Sequence, residues 1–291
     1  MLHCWHIACE GRADMNGTIF DRRRAGLLAP VYALRHDHDF GIGDTISAKE
    51  AIDFCADAGF TVFQVLPILE TIGDPSPYSP VSSRALSPAL LALTPETVPG
   101  LSHAMIGRAA PESWLAELRA GDVRHDAVRP LKMQLLLEAH AAFALGAADD
   151  LHEDFDAFKE RERDWLEPYT LWRLLVHEYA GNFRSTLWRP EHRSPSSAGE
   201  WVRNHPACVS LEERRDGYAF IQWVASRQWK DVRRHADEKG VRLIGDLTFG
   251  ISADSCDVWA EPSLFDTEWS MGTRPLAHFD TSKDAERWGQ N

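Results

Sequence analysis

Apolar and polar positions alternate along this chain in a grammar of strands and helices. Residues 25–34, AGLLAPVYAL, form a short and nearly continuous apolar run, the pattern of a buried strand. The polar, glycine-marked HDHDFGIGD that follows reads as a loop. Thr45 or Ser47 is placed to cap the next helix, with Glu50 as a capping-box acid. That helix, SAKEAIDFCADAG, sets Ala48, Ile52, Cys55 and Ala56 near one face, and Gly59 stands where a helix-ending glycine belongs. Residues 61–68, TVFQVLPI, are rich in β-branched residues and predict a second strand. Strand, helix and strand make a βαβ unit with a parallel sheet.

The grammar returns near the other end. Residues 218–240, YAFIQWVASRQWKDVRRHADEKG, predict one amphipathic helix closed by Gly240, and VRLIGDL, residues 241–247, predicts a third strand of the same sheet. The long stretch between has a different character. LKMQLLLEAHAAFAL (131–145) and EPYTLWRLLVHEYAG (167–181) read as helices, and no period repeats, so we read a mostly helical insertion on a βα loop. HRSPSSAGE, residues 192–200, reads as an exposed linker within it.

Three parallel strands with helices suit either a doubly wound sheet or a TIM barrel. The glycine loop GIGDTI does not complete the dinucleotide fingerprint, since Ile46 stands at the third glycine position, and no P-loop lysine motif occurs. In a barrel, polar residues at the C-terminal strand ends face the substrate. Here those ends carry GDPSPYSPVSS, Gly73–Ser83, and Gly245-Asp246. Asp246 ends an apolar run, where its charge needs a partner. It reads either as a cap or loop-pinning carboxylate, or as a carboxylate that binds sugar hydroxyls.

Composition narrows the class. A net charge of −13 argues against nucleic acid and anionic membrane, which need clustered Lys and Arg. It suits a soluble protein with a neutral substrate. Eleven Trp supply either core or sugar-stacking surface. The five cysteines, at irregular spacing, make no disulfide framework and point to a reducing cytoplasm. The N-terminal sequence has no signal-peptide pattern, and no apolar run reaches the ~18 residues of a membrane span. His3, Cys4, His6 and Cys9 fit no zinc spacing, and residues 1–18 read as a loose extension. His36 and His38 read as a solvated loop. Asp254 reads as a turn cap near Asp257. Cys256 lacks a neighbouring base to lower its pKa and is no candidate nucleophile. Trp165 and Trp172 read as insertion core.

These residues carry a resemblance. Four segments in order are similar to the N-terminal part of the 4-alpha-glucanotransferases, also called amylomaltases or disproportionating enzymes. They are AGLLAPVYALRHDHDFGIGD, with its Gly41–Asp44; AIDFCADAGFTVFQVLPI with GDPSPYSPVSSRALSP after it; RQWKDVRRHADEKGVRLIGDLTFGISADSCDVWAEPSLFD; and the terminal Gly289-Gln290-Asn291, like the start of that family's Gly-Gln-x-Trp-Gly. Together they cover residues 19–291, with the insertion loosely matched.

The resemblance implies an α/β fold, a (β/α)8 TIM barrel of the α-amylase clan. It implies retaining transfer of α-1,4-glucan segments to the 4-hydroxyl of an acceptor sugar through a covalent glycosyl-enzyme, without metal or organic cofactor. Ser76 and Tyr78 match the family's Ser-Pro-Tyr along the donor-side sugar subsites. Asp246 matches the substrate-contacting carboxylate after the third strand, and Gln290 the glutamine of Gly-Gln-x-Trp-Gly. Two departures stand out: Thr248 where the family has proline, and the extra proline of Gly73-Asp74-Pro75-Ser76-Pro77-Tyr78.

The family's nucleophile string (Arg-x-Asp-His-Phe-Arg-like), acid/base string (Glu-Asp-Leu-Gly-like) and His-Asp-Asn do not occur. The expectation is therefore an N-terminal portion, inactive alone, with three barrel strands and part of the groove but no catalytic carboxylate. Its expected divisions are the extension 1–18, a first barrel segment 19–98, the helical insertion 99–215 and a barrel segment 216–291. With an open sheet edge and an unfilled barrel, such a piece is expected to be poorly stable alone. The resemblance implies an α-1,4-glucan or maltooligosaccharide substrate and cytoplasmic localisation. A non-catalytic glucan-binding relic, or a hydrolase of the same clan, are the other readings.

Overall fold

The computed structural model of the chain describes residues 23–248 and 250–268. The N-terminal extension and Gln290 lie outside the described residues. Strand β1 (Gly26–Ala29) leads through a 3-10 turn, Val31–Ala33, and the glycine loop into helix α1 (Thr45–Asp57) and strand β2 (Val62–Val65). The insertion follows: α2 (His103–Ala109), α3 (Glu112–Arg119), α4 (His125–Ala144), α5 (His152–Arg161), α6 (Arg163–Glu178) and α7 (Pro195–Asn204). Helix α8 (Cys208–Glu238), strand β3 (Arg242–Ile244) and the short α9 (Cys256–Ala260) complete the described elements.

The sheet is parallel, in the order β1-β2-β3, with Leu28, Gln64 and Ile244 in register. Its two faces differ. Phe63 and Val65 are buried on the face covered by α1 and α8, which pack against each other. On the other face Leu28 is 55% exposed. One continuous apolar cluster joins this sheet to the insertion helices. No helix among the described residues is long and apolar enough to cross a membrane.

Local chemistry explains where the elements depart from expectation. The first apolar run yields a strand of only four residues, because Pro30 has no N–H for a ladder and the chain turns at Val31. The cap of α1 is neither Thr45 nor Ser47 but Asp44. Its Oδ1 accepts from the N–H groups of Ile46 (2.9 Å) and Ser47 (3.3 Å), and Ser47 Oγ accepts from Asp44 N (3.2 Å). Ser47, not Glu50, is thus the reciprocal member of the box. Gly59 does follow the helix, at φ +78°. The strands at residues 61–68 and 241–247 are shorter than expected, and Asp246 lies beyond β3 rather than in it.

The expected linker at 192–200 is instead largely helix α7. Ser194 caps it through a bond from Ser197 N (3.3 Å), and Pro195 opens it with the φ a first helical turn requires. Burial of Ala198 and Val202 then holds it on the insertion core. Helices α4 and α6 begin upstream of Pro130 and Pro168, because buried Val128 and Leu166 extend the packed face past each proline. Helix α8 begins at Cys208, ten residues before the expected Tyr218, so residues 215 and 216 share one helix. Gly217 reads locally as a helix break, yet it is a contact point: a β-carbon there would lie 2.8 Å from Leu137 Cδ2 on α4.

Helix α4 is bolted to the segment after β2 by a buried lysine. Lys132 is 0% exposed and its Nζ donates to the carbonyls of Ala89 (2.9 Å) and Leu91 (2.7 Å). Burial pushes its pKa down to about 8, against the opposing pull of Asp44 and Asp39. The unfolded chain then holds this proton up to ~10.4 while the folded chain releases it earlier, so stability should rise with pH across that window and be flat below it. Urea titrations of wild type and Lys132→Met from neutral to alkaline pH should show the rise only in wild type. Parallel curves would sink the assignment.

Candidate sugar-binding site

The candidate site is built on the loop that follows β2. This loop closes on itself as an arch. Leu69 bridges Leu86 in antiparallel fashion, Glu70 N donates to Ala85 O (2.8 Å) and Val81 N to Glu70 O (2.9 Å). The arch is then pinned to the insertion. Tyr169 Oη donates to Glu70 Oε2 (2.6 Å), and Arg173 on the same helix faces Glu70 Oε1 at 3.7 Å. Gln222 of α8 accepts from Leu86 N (2.8 Å) and donates to Leu86 O (3.0 Å). Burial, the largest single influence, opposes the Arg173 charge, but Glu70 together with Tyr169 and Tyr218 outweighs it and holds the guanidinium pKa above its ordinary value.

The tip of the arch carries the residues matched from sequence. Asp74 organises it as an Asx turn, accepting from Ser76 N (2.8 Å) and from Ser79 Oγ (2.9 Å). Ser76 supports its neighbour in turn, its Oγ accepting from Tyr78 N (3.3 Å). Phe183 of the insertion packs beneath, its ring 3.4 Å from where a β-carbon on Gly73 would lie. Tyr78 is 45% exposed, and its Oη donates to Asp246 Oδ2 at 2.6 Å. The Asp246 carboxylate beside it raises the Tyr78 phenol pKa, because removing the proton would place two negative oxygens together.

The structure therefore brings Tyr78 and Asp246 together across the C-terminal ends of β2 and β3, with Ser76 one turn behind. Gln290 lies outside the described residues. Three other groups have local partners. His36 faces Asp44 at 3.5 Å, and this carboxylate raises its pKa. Asp254 faces Arg184 at 3.9 Å, while Asp257 accepts from Ser83. Burial pushes the Cys256 thiol well above its ordinary pKa. Trp172 is 0% exposed and belongs to the insertion core. Among the described residues no group of three or more His, Cys, Asp and Glu is placed to hold a metal.

Two contributors were missed in the sequence. Asp74 had a local signal, a side chain two residues before Ser76 in a proline-rich turn. Glu70 had none, since its partners Tyr169 and Arg173 lie about a hundred residues away.

Comparison with known proteins sets this geometry in a family. The sequence model described as 4-alpha-glucanotransferase matches residues 29–290. The 4-alpha-glucanotransferase of Chlamydia trachomatis is 31% identical over 254 residues, which is 86% of this chain and 46% of that protein. The Thermus thermophilus 4-alpha-glucanotransferase is 30% identical over 272 residues, 92% of this chain and 51% of that protein. Among solved structures, the amylomaltase from Streptococcus agalactiae in complex with acarbose superposes with a TM-score of 0.66 at 20% identity, over 84% of this chain and 47% of that one. The Corynebacterium glutamicum amylomaltase gives 0.63 at 20% identity, over 81% and 32%. The chain spans about half the length of the curated relatives it matches. With a match over nearly all of its described residues, the chain belongs to the 4-alpha-glucanotransferase family.

Proposed function

We propose that this chain supplies the donor-side groove of a 4-alpha-glucanotransferase that moves α-1,4-glucan segments by the retaining route. The observation that carries the reading is the exposed Tyr78–Asp246 bond at the C-terminal end of the sheet. Asp246 is an acceptor for sugar hydroxyls. Tyr78 offers a donor and a flat ring on which a pyranose face can rest. In the free chain the two satisfy each other, and a sugar hydroxyl replaces one bond with another of similar strength. The remaining parts of the reading follow the family. Strands β1 to β3 are the first of a (β/α)8 barrel, the chain divides at 19–98, 99–215 and 216–291 with α8 shared across the last boundary, and Ser76 and Gln290 contribute to the sugar subsites. We place the protein in the cytoplasm.

The chemistry of transfer needs a carboxylate nucleophile and a carboxylic acid that later serves as base. We assign neither role to a residue of this chain, whose sequence holds none of the family's three carboxylate strings. The chain alone is accordingly expected to bind maltooligosaccharides without releasing glucose from maltotriose.

Calorimetric titration with maltoheptaose tests the groove. Tyr78→Phe and Asp246→Asn should each weaken binding about threefold to tenfold, the worth of one hydrogen bond. Wild-type chain that binds no maltoheptaose, or variants that bind it equally well, would overturn the reading.

A further inference from the structure

The bond between Tyr78 and Asp246 joins two loops that are otherwise far apart in sequence, and something must hold them in register. The contact lies at the base of both loops. Asp257, on the first turn of α9, accepts from Ser83 N (2.8 Å) through one carboxylate oxygen and from Ser83 Oγ (2.9 Å) through the other. One residue earlier, Cys256 N donates to Val81 O at 2.8 Å. Two consecutive positions of α9 therefore grip two alternate positions of the arch.

The other side of α9 is fixed as well. Ser255, fully buried, caps the helix through a bond from Val258 N (3.2 Å), and Trp259 Nε1 donates to His192 O (2.9 Å) in the insertion. Helix α9 is thus an anchored block, and the carboxylate of Asp257 is the side chain by which that block holds the arch. The lever from grip to tip is short and stiff. Only Ser79 and Pro80 separate Tyr78 from Val81, and Pro80 is buried with its φ locked. A small slip at Ser83 moves the Tyr78 ring relative to Asp246.

We propose that Asp257 is a positioning residue for the sugar site, setting Tyr78 against Asp246 by fastening the loop after β3 to the loop after β2. Its link to glucan binding rests on the function proposed above; its link to Tyr78 does not. Asp257 half-buries a carboxylate whose pKa is raised by that burial, against the two bonds from Ser83.

The test uses the titration of the Tyr78 hydroxyl, followed by carbon NMR of the full chain labelled at tyrosine Cζ. The chain has five tyrosines, and Tyr78→Phe identifies the signal. Asp257→Ala removes both bonds from Ser83 and leaves the backbone bond from Cys256 N to Val81 O in place. Asp257→Glu keeps the charge at the helix N-terminus but displaces the oxygens by a methylene. Asp257→Asn keeps the shape, since its carbonyl can accept from Ser83 N and its amide can donate to Ser83 Oγ. The Tyr78 pKa should fall toward the ordinary ~10 in the alanine and glutamate variants and stay raised in the asparagine variant. Affinity for maltoheptaose should fall about tenfold in the first two and hold in the third.

Far-UV circular dichroism establishes that each variant folds; should the alanine variant not fold, the glutamate variant decides. A Tyr78 titration unchanged in folded glutamate or alanine variants overturns the proposal, even if their melting temperature drops. If wild type binds no maltoheptaose, the glucan-binding reading fails, and the Tyr78 titration still decides the role of Asp257.

Discussion

Replacing Gly43 by alanine should unfold the sheet end of the molecule, at a cost of about 3 kcal/mol or more. A β-carbon at this position would lie 2.0 Å from both Val31 O and Leu34 O. No atom can remain there, and both obstacles are backbone rather than movable side chain. Gly43 N also donates to Tyr32 O (3.0 Å), so the glycine loop is laced onto the 3-10 turn that ends β1. The loop cannot retreat without dragging Asp44 from its capping position on α1. Gly107, inside α2 with nothing within 4 Å of its virtual β-carbon, provides the contrast. Gly107→Ala should stabilise by about 0.5–1 kcal/mol, through helix propensity alone. Urea unfolding of both variants measures the pair. A Gly43→Ala chain as stable as wild type would show that the loop does not pack as described. The Gly-Ile-Gly-Asp string thereby acquires a purely steric reason for its second glycine, without any phosphate to cradle.

Arg173→Met is expected to cost about 3–5 kcal/mol, because it leaves the buried Glu70 carboxylate with only the Tyr169 phenol and the longer-range charge of Arg129. Glu70 is 4% exposed, and its bonds are the Tyr169 hydroxyl and the ion pair with Arg173. Arg173 also lies over the Tyr218 ring at 5.1 Å, which methionine can partly replace by packing. The double variant Glu70→Gln, Arg173→Met removes both charges and should recover much of the loss, a coupling that a double-mutant cycle reads directly. If the single and double variants lose equal stability, the pair is not energetically joined. Loosening of the arch should accompany the single loss, seen as faster amide exchange at Val81 and Ser87, whose N–H groups close it.

The parts legible in the sequence were those written in local chemistry. The βαβ unit, the glycines after α1 and α8 and the long helix before β3 all follow from hydrophobic period and helix-ending residues. Helix α7 was legible too, in Ser194-Pro195, but the density of serine and proline made it look like a linker. The misjudged starts of α4, α6 and α8 have one cause. Pro130, Pro168 and Gly217 are local break signals, and each is overridden by packing: Val128 and Leu166 carry their helices past the prolines, and Leu137 needs the space that Gly217 leaves.

The candidate site divides in the same way. Ser76, Tyr78 and Asp246 stand out in sequence because they lie at strand ends in recognisable strings. The bond between Tyr78 and Asp246 does not, since 168 positions separate them. By itself the sequence determined the parallel strand–helix–strand character of the fold and which loops carry the matched residues, because period, capping and turn residues act over a few positions. Tertiary structure alone decided which groups meet. Glu70 with Arg173, Lys132 with the carbonyls after β2, and Asp257 with Ser83 are pairs of buried polar groups that must find partners once water is excluded, and those partners are set by how distant elements pack.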